Sequence, residues 1–258
     1  MTEPTPRQRQ LKEAFTEARG YWSPAWDGVL ALDPDFFEAY LNLSAVPWRK
    51  GTLPPKVKER IYIAVDASTT HLHAPGTRTH MRNALRHGAT REEIVEVLQL
   101  ISVLGIHSCT QGVPILVEEL RAAGRESELP RPGEGGEREA RLKAEFMEAR
   151  GHWSGLWESV LALSPDFFEA YLRFSSVPWQ HGRLEPKVKE FIYIAIDAAT
   201  THLYEPGTRI HLRNALNHGA TREEIMEVFE LISVLGIHST THGVPILMEE
   251  LRAAAGAR

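Results

Sequence analysis

The sequence has 258 residues, of which 43% are hydrophobic and 24% are charged, a balance typical of soluble globular proteins. The net charge is −5, and the scattered lysines and arginines form no basic stripe that would bind nucleic-acid phosphates. The longest apolar stretch, Leu98 to Ile106, is far shorter than the roughly 20 residues that span a bilayer. We therefore expect neither a nucleic-acid partner nor a membrane partner.

The N-terminus is charged where a secretory signal would need an uninterrupted apolar region, which favours a cytoplasmic protein. Cys109 is the single cysteine, so an intrachain disulfide is excluded. Residues 11–123 repeat as residues 142–254 without a gap, and about 83 of the 113 aligned positions match. The sequence therefore predicts a tandem duplication.

The first strong helix signal in each copy lies at Asp33 or at its counterpart, Ser164. A helix is predicted after Asp33 and after Ser164, because a capping side chain there precedes a proline. The next helix is predicted after Pro55 and Pro186, in VKERIYIAVDASTTHL and VKEFIYIAIDAATTHL. These segments are too long for a typical strand, although their β-branched residues leave a strand as the alternative.

A helix stop and a helix start follow in the segment ALRHGATREEI. Gly88 is predicted to end one helix as its C-terminal glycine. Thr90 is predicted to be the N-cap of the next helix, with Glu93 closing a capping box. A buried helix is then predicted from Glu92 to Gly105, and another from Val113 to Ala123. The second copy repeats the capping residues as Gly219, Thr221 and Glu224.

These signals predict an all-α fold with about six helices in each copy. We place the first repeat at residues 1–123 and the second at residues 142–258. Residues 124–141 between them are rich in Gly, Pro and charge, which is the composition of a solvated linker.

A longer motif suggests a family. The pattern H-x-x-x-A-x-x-x-G-x-x-x-x-E-I starts at His80 and again at His211. It resembles the signature region of the carboxymuconolactone decarboxylase and alkylhydroperoxidase D-like superfamily, and the resemblance covers roughly residues 30–105 of each copy. The resemblance implies two AhpD-like helical units in tandem.

The peroxidases of this superfamily carry a C-x-x-C ahead of the histidine, whose thiols reduce the peroxide. Here the two positions hold His73 and Gly76 in the first copy, and Tyr204 and Gly207 in the second. The sequence therefore argues against dithiol peroxidase activity.

The decarboxylase branch, by resemblance, uses a histidine and a glutamate to move protons and needs no cofactor. His80 and His211 match that histidine, and Glu59 and Glu190 match the glutamate. Histidine is suited to proton transfer near neutral pH. We therefore expect a carboxy-lyase that acts on a small carboxylated or lactone-like, aromatic-derived metabolite.

Further residues are expected to contact the substrate. Asp66 lies on the same helical face as Glu59, with Thr70 predicted to extend that face. The substrate-contacting set is predicted to be His71, His202, His107, His238, Asp66 and Asp197. The tryptophans are expected either to line the pocket or to fill the core.

The histidines could also hold a divalent metal. We expect such a site to combine His71, His80 and His107 in the first copy, and His202, His211 and His238 in the second; His242 follows one helical turn later. A metal-dependent enzyme and a non-catalytic small-molecule binding protein thus stand as alternatives to a cofactor-independent lyase.

Two departures from the decarboxylases bear on the substrate. Those enzymes usually carry a glutamate four residues before the histidine, where this chain has Gly76 and Gly207, and the segment LGIHSCTQGVP is about two turns longer than its family counterpart. We therefore expect a different pocket. The family's hexameric rings imply, for a duplicated chain, a trimer that forms a pseudo-hexamer.

Overall fold

The computed structural model describes residues 3–131, 133–151 and 153–256. Within these residues the chain is helical and contains no strand, which confirms the all-α prediction. In the first copy the helices are α1 (Pro6–Arg19), α2 (Ala25–Leu32), α3 (Pro34–Ser44), α4 (Val46–Lys50), α5 (Pro55–Ala67), α6 (Ala74–Arg86), α7 (Arg91–Ile101) and α8 (His107–Ala122). In the second they are α9 (Gly136–Arg150), α10 (Glu158–Leu163), α11 (Pro165–His181), α12 (Pro186–Ala198), α13 (Glu205–Asn217), α14 (Arg222–Ser233) and α15 (Ile237–Gly256).

Local signals set most of the helix boundaries. Thr90 and Thr221 form the predicted capping boxes, and Gly88 takes a positive φ of 80° after α6. Asp33 accepts a hydrogen bond from the Phe36 backbone, as predicted. The prediction for Ser164 was wrong in its bond: it occupies the N-cap of α11, but its side chain makes no capping hydrogen bond.

Three boundaries differ from the prediction. Helix α5 ends at Ala67, so Thr70 lies beyond the helical face that carries Glu59 and Asp66. The last helix of the first copy begins at His107 rather than Val113, after a 3₁₀ turn. Helix α9 begins at Gly136, inside the stretch predicted as linker, so the connector between the two copies is shorter than expected.

The two copies share one hydrophobic core. Helices α5 and α12 pack against each other at its centre, and α7 and α14 each pack against the central helix of both copies. Every residue from Val57 to Asp66 of α5 is buried, and the same holds from Val188 to Asp197 of α12. A helix that is buried on all sides carries apolar residues on all faces, which explains its strand-like composition.

The last helix of each copy packs on the other copy. Helix α15 packs on α2, and its Ile237 joins the cluster around Phe15 and Phe37. Helix α8 packs on α10, and Ile106 joins the matching cluster around Phe146 and Phe168. The copies therefore exchange their C-terminal helices.

The exchange is reciprocal and gives the chain an approximate two-fold axis. Thr70 Oγ1 lies 3.5 Å from Thr201 Oγ1, and these two residues are equivalent positions 131 residues apart. Each contact between the copies has an equivalent in which the two copies change places, as α15 on α2 corresponds to α8 on α10. Such self-complementary packing is typical of an isologous interface.

Two buried ion pairs join the copies. Glu227 of α14 lies 2.7 Å from Lys58 Nζ of α5 and accepts hydrogen bonds from the backbone of Thr52 and Leu53. Both charged side chains are less than 5% exposed. The second pair is Glu96 with Lys189, at 3.0 Å, and Glu96 likewise accepts from the backbone of Arg183 and Leu184.

Two helical stretches are long and apolar enough to pass a composition test for membrane spans. They are Arg91–Ala122 and Arg222–Ala255, and they run through α7–α8 and α14–α15. The sequence predicted no membrane span, because its longest apolar stretch, Leu98 to Ile106, covers only a part of the first of these helical stretches. Part of each stretch is buried in the protein, and a core helix passes the same test, so this finding is weak evidence for a membrane.

Candidate active site

A histidine and a glutamate meet in the interior of each copy. His80 Nδ1 lies 2.6 Å from Glu59 Oε2, and His211 Nδ1 lies 2.6 Å from Glu190 Oε2. Helices α5 and α12 supply the glutamates, and α6 and α13 supply the histidines. A carboxylate can only accept, so each imidazole donates its Nδ1 proton, and Nε2 is the ring atom left to exchange a proton with a ligand.

Two further residues fix each pair. Asn83, one helical turn after His80, donates to Glu59 Oε1 at 3.4 Å, and Tyr62 stacks on the His80 ring with centroids 4.5 Å apart. In the second copy Asn214 and Tyr193 make the same contacts with Glu190 and His211. These residues were not predicted from the sequence, although their spacing of three from His80 and Glu59 places them on the same helical faces.

A second carboxylate lies on the other side of each histidine. Asp66 Oδ2 is 3.9 Å from His80 Nε2, and Asp197 Oδ2 is 3.9 Å from His211 Nε2. Both aspartates are 1% exposed, and neither oxygen of either one accepts a hydrogen bond from the described residues. A buried carboxyl without a partner is costly as an anion.

The remaining predicted histidines gather around these aspartates, across the two copies. Asp66 Oδ1 lies 4.0 Å from His71, 3.9 Å from His73 and 3.7 Å from His238, and His71 Nε2 is 2.8 Å from His238 Nδ1. In the other half, His107 Nδ1 lies 3.8 Å from Asp197 Oδ1. It also lies 2.8 Å from His202 Nε2.

The expected metal trios were therefore wrong in their membership. His107 does not join His71 and His80: it belongs to the site of the second copy, and His238 takes its place in the first. The cause is the exchange of α8 and α15, which carry these two histidines. His242 and His238 both line the pocket beside His80, but His242 is not part of the cluster of candidate metal ligands.

The missing family glutamate has a steric explanation. A Cβ at Gly76 would lie 2.0 Å from Asp66 Oδ2, and one at Gly207 would lie 2.0 Å from Asp197 Oδ2. No side chain fits there while the aspartate holds its place. The carboxylate near the histidine comes from α5 or α12 instead of from the helix of the histidine.

Burial shifts the pKa values of these groups. Desolvation raises the pKa of Asp66 and of Asp197 to about 7, with a smaller upward contribution from the neighbouring glutamate. Desolvation also lowers the pKa of His73 to about 4, and those of His107 and His238 to about 3. The cluster histidines are thus neutral at pH 7, while the aspartates titrate there.

The raised pKa predicts a pH-dependent effect of Asp66→Asn. The unfolded chain releases the Asp66 proton near its ordinary pKa of 3.8, but the folded protein holds it to about 7. Stability therefore falls as pH rises through this interval. Asparagine is always neutral, so its stability does not fall in this way. From pH 5 to pH 7 we expect the free energy of unfolding of D66N to rise by about 1 to 3 kcal/mol relative to that of the wild type, at about 1.4 kcal/mol per pKa unit.

Urea denaturation at pH 5, 6 and 7 in the presence of a chelator measures this difference. Glu223→Gln is the control, because the Arg222 hydrogen bond lowers the pKa of its exposed carboxyl from the ordinary value of 4.5, so this group stays ionised from pH 5 to 7. A D66N difference that stays constant or shrinks with pH would contradict the assignment.

Pockets open beside both histidines. The pocket at His211 spans about 650 Å³ and the pocket at His80 about 570 Å³, open solvent included in both volumes. Trp157 and Trp26 are both core and pocket wall, so for these two tryptophans both interpretations hold. Arg150 also lines the His211 pocket.

The chain resembles known proteins over most of its length. The profile of the carboxymuconolactone decarboxylase family matches residues 34–123 and 165–255. A crystal structure from Burkholderia xenovorans LB400, provisionally described as a gamma-carboxymuconolactone decarboxylase subunit, is 47% identical and superposes with a TM-score of 0.92, covering 97% of this chain and 100% of that one. No curated protein matches the sequence.

Proposed function

Because the chain belongs to the carboxymuconolactone decarboxylase family, we propose that it is a lyase that removes carbon dioxide from a small carboxylated, lactone-like metabolite without a cofactor. The observation that supports this proposal most directly is the His–Glu pair at 2.6 Å, buried in the first copy and partly buried in the second, each time beside a pocket. The chemistry needs one proton donor placed against carbon, and a positioned imidazole supplies that.

In the proposed reaction, the bond between the substrate carbon and its carboxylate breaks, and carbon dioxide leaves. The electron pair stays on the carbon, where an adjacent unsaturated lactone delocalises it. Protonated His80 or His211 then donates the Nε2 proton to that carbon. Solvent returns the proton to the imidazole, so one proton is consumed for each carbon dioxide released.

The surrounding carboxyl groups suit this role. Glu59 holds the His80 ring through Nδ1, and Asp66 lies 3.9 Å from Nε2, so an imidazolium between them is stabilised from both sides. Glu190 and Asp197 flank His211 in the same way. These carboxyl groups set the basicity and the orientation of the imidazole rather than react themselves.

The pocket walls favour a flat, partly charged substrate. Phe146, Leu156 and Trp157 form an apolar wall beside His211. Arg150 lines the same pocket and donates to the Ser175 carbonyl, so its guanidinium is held where it can pair with a second substrate carboxylate. We infer that the preferred substrates carry an unsaturated ring and an acidic group besides the one that is lost.

The test is an assay of purified protein with a panel of unsaturated lactone acids that includes γ-carboxymuconolactone. We expect release of carbon dioxide and, in D₂O, one deuterium on the carbon that lost it, because the proton comes from solvent through histidine. No carbon dioxide from any panel member at stoichiometric enzyme would contradict the proposal.

Trimeric assembly and cytoplasmic location stay predictions.

The non-catalytic alternative has less support. It would be favoured by fully packed surroundings at both histidines, whereas each histidine lines a pocket. The metal-dependent alternative depends on the clusters around Asp66 and Asp197. These clusters do not include His80 and His211, the histidines that donate to the glutamates.

A further inference from the structure

We propose that Asp66, His71, His73 and His238 form a binding site for a divalent transition metal, built from both copies of the repeat. One donor atom from each residue lies within 4.8 Å of all the others. The carboxylate and two histidines come from the first copy, and α15 of the second copy supplies His238. His80 lies outside this set and faces the opposite oxygen of Asp66.

The carboxylate of Asp66 points to a ligand independently of the cluster. It is 1% exposed, and neither of its oxygens has a hydrogen-bond donor among the described residues. Three imidazole nitrogens instead surround Oδ1 at 3.7 to 4.0 Å. These distances are too long for hydrogen bonds but match a carboxylate and imidazoles that share a cation.

The backbone is strained where it brings two of the ligands together. Leu72, between His71 and His73, has a φ of 50°, which is rare for a residue with a branched side chain. The His73 amide bonds to the Asp66 carbonyl at 2.7 Å. This turn places both imidazoles on the Asp66 side although they are only two residues apart.

The donor set selects the kind of metal. Imidazole nitrogen with one carboxylate oxygen suits Zn²⁺, Co²⁺, Ni²⁺ or Fe²⁺ rather than Ca²⁺ or Mg²⁺, which prefer oxygen throughout. With bonds of about 2.0 to 2.2 Å, two ligands lie at most about 4.4 Å apart, so the cluster needs to contract only slightly. The proton that His71 and His238 share at 2.8 Å would move to the other nitrogen of its own ring when both facing nitrogens bind the cation.

The other half of the chain contains the same arrangement with one ligand fewer. His107, Asp197 and His202 occupy the equivalent places, but Tyr204 stands where the first copy has His73. Its ring stacks on His107 with centroids 3.8 Å apart, as the His73 ring stacks on His238 at 3.8 Å, and its hydroxyl pairs with Thr110 at 2.9 Å. Among the described residues, one candidate site therefore has four ligands and the other has three.

This asymmetry provides the experiment. Full-length, tag-free protein is stripped with a chelator and titrated with Zn²⁺ by calorimetry and with Co²⁺ by visible absorption. We expect one tight site and one weaker site in each chain. His73→Tyr should weaken the tight site about 100-fold or more, because even outer-shell partners of a metal contribute about 10- to 100-fold.

Tyr204→His should do the reverse and give two tight sites in each chain. His218→Tyr, which alters an exposed histidine outside both clusters, is the matched control and should bind as the wild type does. The Asp66→Asn/Asp197→Asn variant should lose both sites. Circular dichroism confirms that each variant is folded, and the gain in Y204H does not depend on the stability of H73Y.

Two results would overturn the proposal. One is wild-type binding of Zn²⁺ and Co²⁺ no tighter than that of the D66N/D197N variant. The other is unchanged stoichiometry and affinity in both H73Y and Y204H. Because binding is measured without substrate, neither result depends on the proposed lyase activity.

Discussion

The double variant His80→Asn/His211→Asn is expected to lower the rate of carbon dioxide release about 10²- to 10⁴-fold, which is the contribution of a positioned general acid. The asparagine amide can still donate to Glu59 or Glu190, where the imidazole donates at 2.6 Å, so the buried carboxylates keep a partner. What is lost is the ring nitrogen that exchanges a proton with the substrate. The measurement is kcat and kcat/KM on the best substrate of the panel.

The two single variants divide the activity between the copies. If both pockets react, H80N and H211N should each keep a part of the rate, and the two parts should add up to the wild-type rate. His87→Asn/His218→Asn is the control, since both residues are exposed at helix ends and the histidine is likewise changed in each copy. A double active-site variant with wild-type kcat would refute histidine proton transfer.

The variant Glu227→Gln is expected to lower the free energy of unfolding by about 3 to 5 kcal/mol, the usual effect of removing one partner of a buried ion pair. Lys58 is 3% exposed, and apart from Glu227 its ammonium bonds to the Pro47 carbonyl. Glutamine can still accept from the Thr52 and Leu53 amides, but it leaves the ammonium buried without a counter-charge. Reversible denaturation in urea measures the change.

The repeat supplies a second test of the same interaction. Glu96→Gln should destabilise by a similar amount, because Glu96 holds Lys189 and two backbone amides in the equivalent way. Glu223→Gln removes an exposed carboxylate from the same helix as Glu227 and should change stability by less than about 0.5 kcal/mol. Equal effects of E227Q and E223Q would show that the buried ion pair between the copies does not stabilise the fold.

The features of the fold that could be predicted from the sequence are local. Capping at Thr90 and the choice of helix over strand for the segment after Pro55 depend on neighbouring residues, and both predictions are confirmed. The pairing of His80 with Glu59 followed from the resemblance to the decarboxylases, which use a histidine and a glutamate of the same copy. Asn83 could have been found from its spacing along the helix of His80.

The contacts between copies could not be predicted, and the repeat itself is the reason. With about 83 of 113 positions identical, a contact between two helices of one copy is almost indistinguishable in sequence from the same contact made between copies. His107 was therefore assigned to His71 rather than to His202, its actual partner at 2.8 Å. The connector of 13 residues between α8 and α9 permits either arrangement.

The exchanged helices also determine whether the two sites of the protein can acquire different residues. A single repeat of this kind could not complete its own histidine cluster, and two identical chains would have to associate, so that every substitution appeared at both sites at once. Fusion into one chain keeps the partners at equal numbers and at a high effective concentration. It also allows one site to carry His73 and the other Tyr204, a division of labour that identical subunits cannot have.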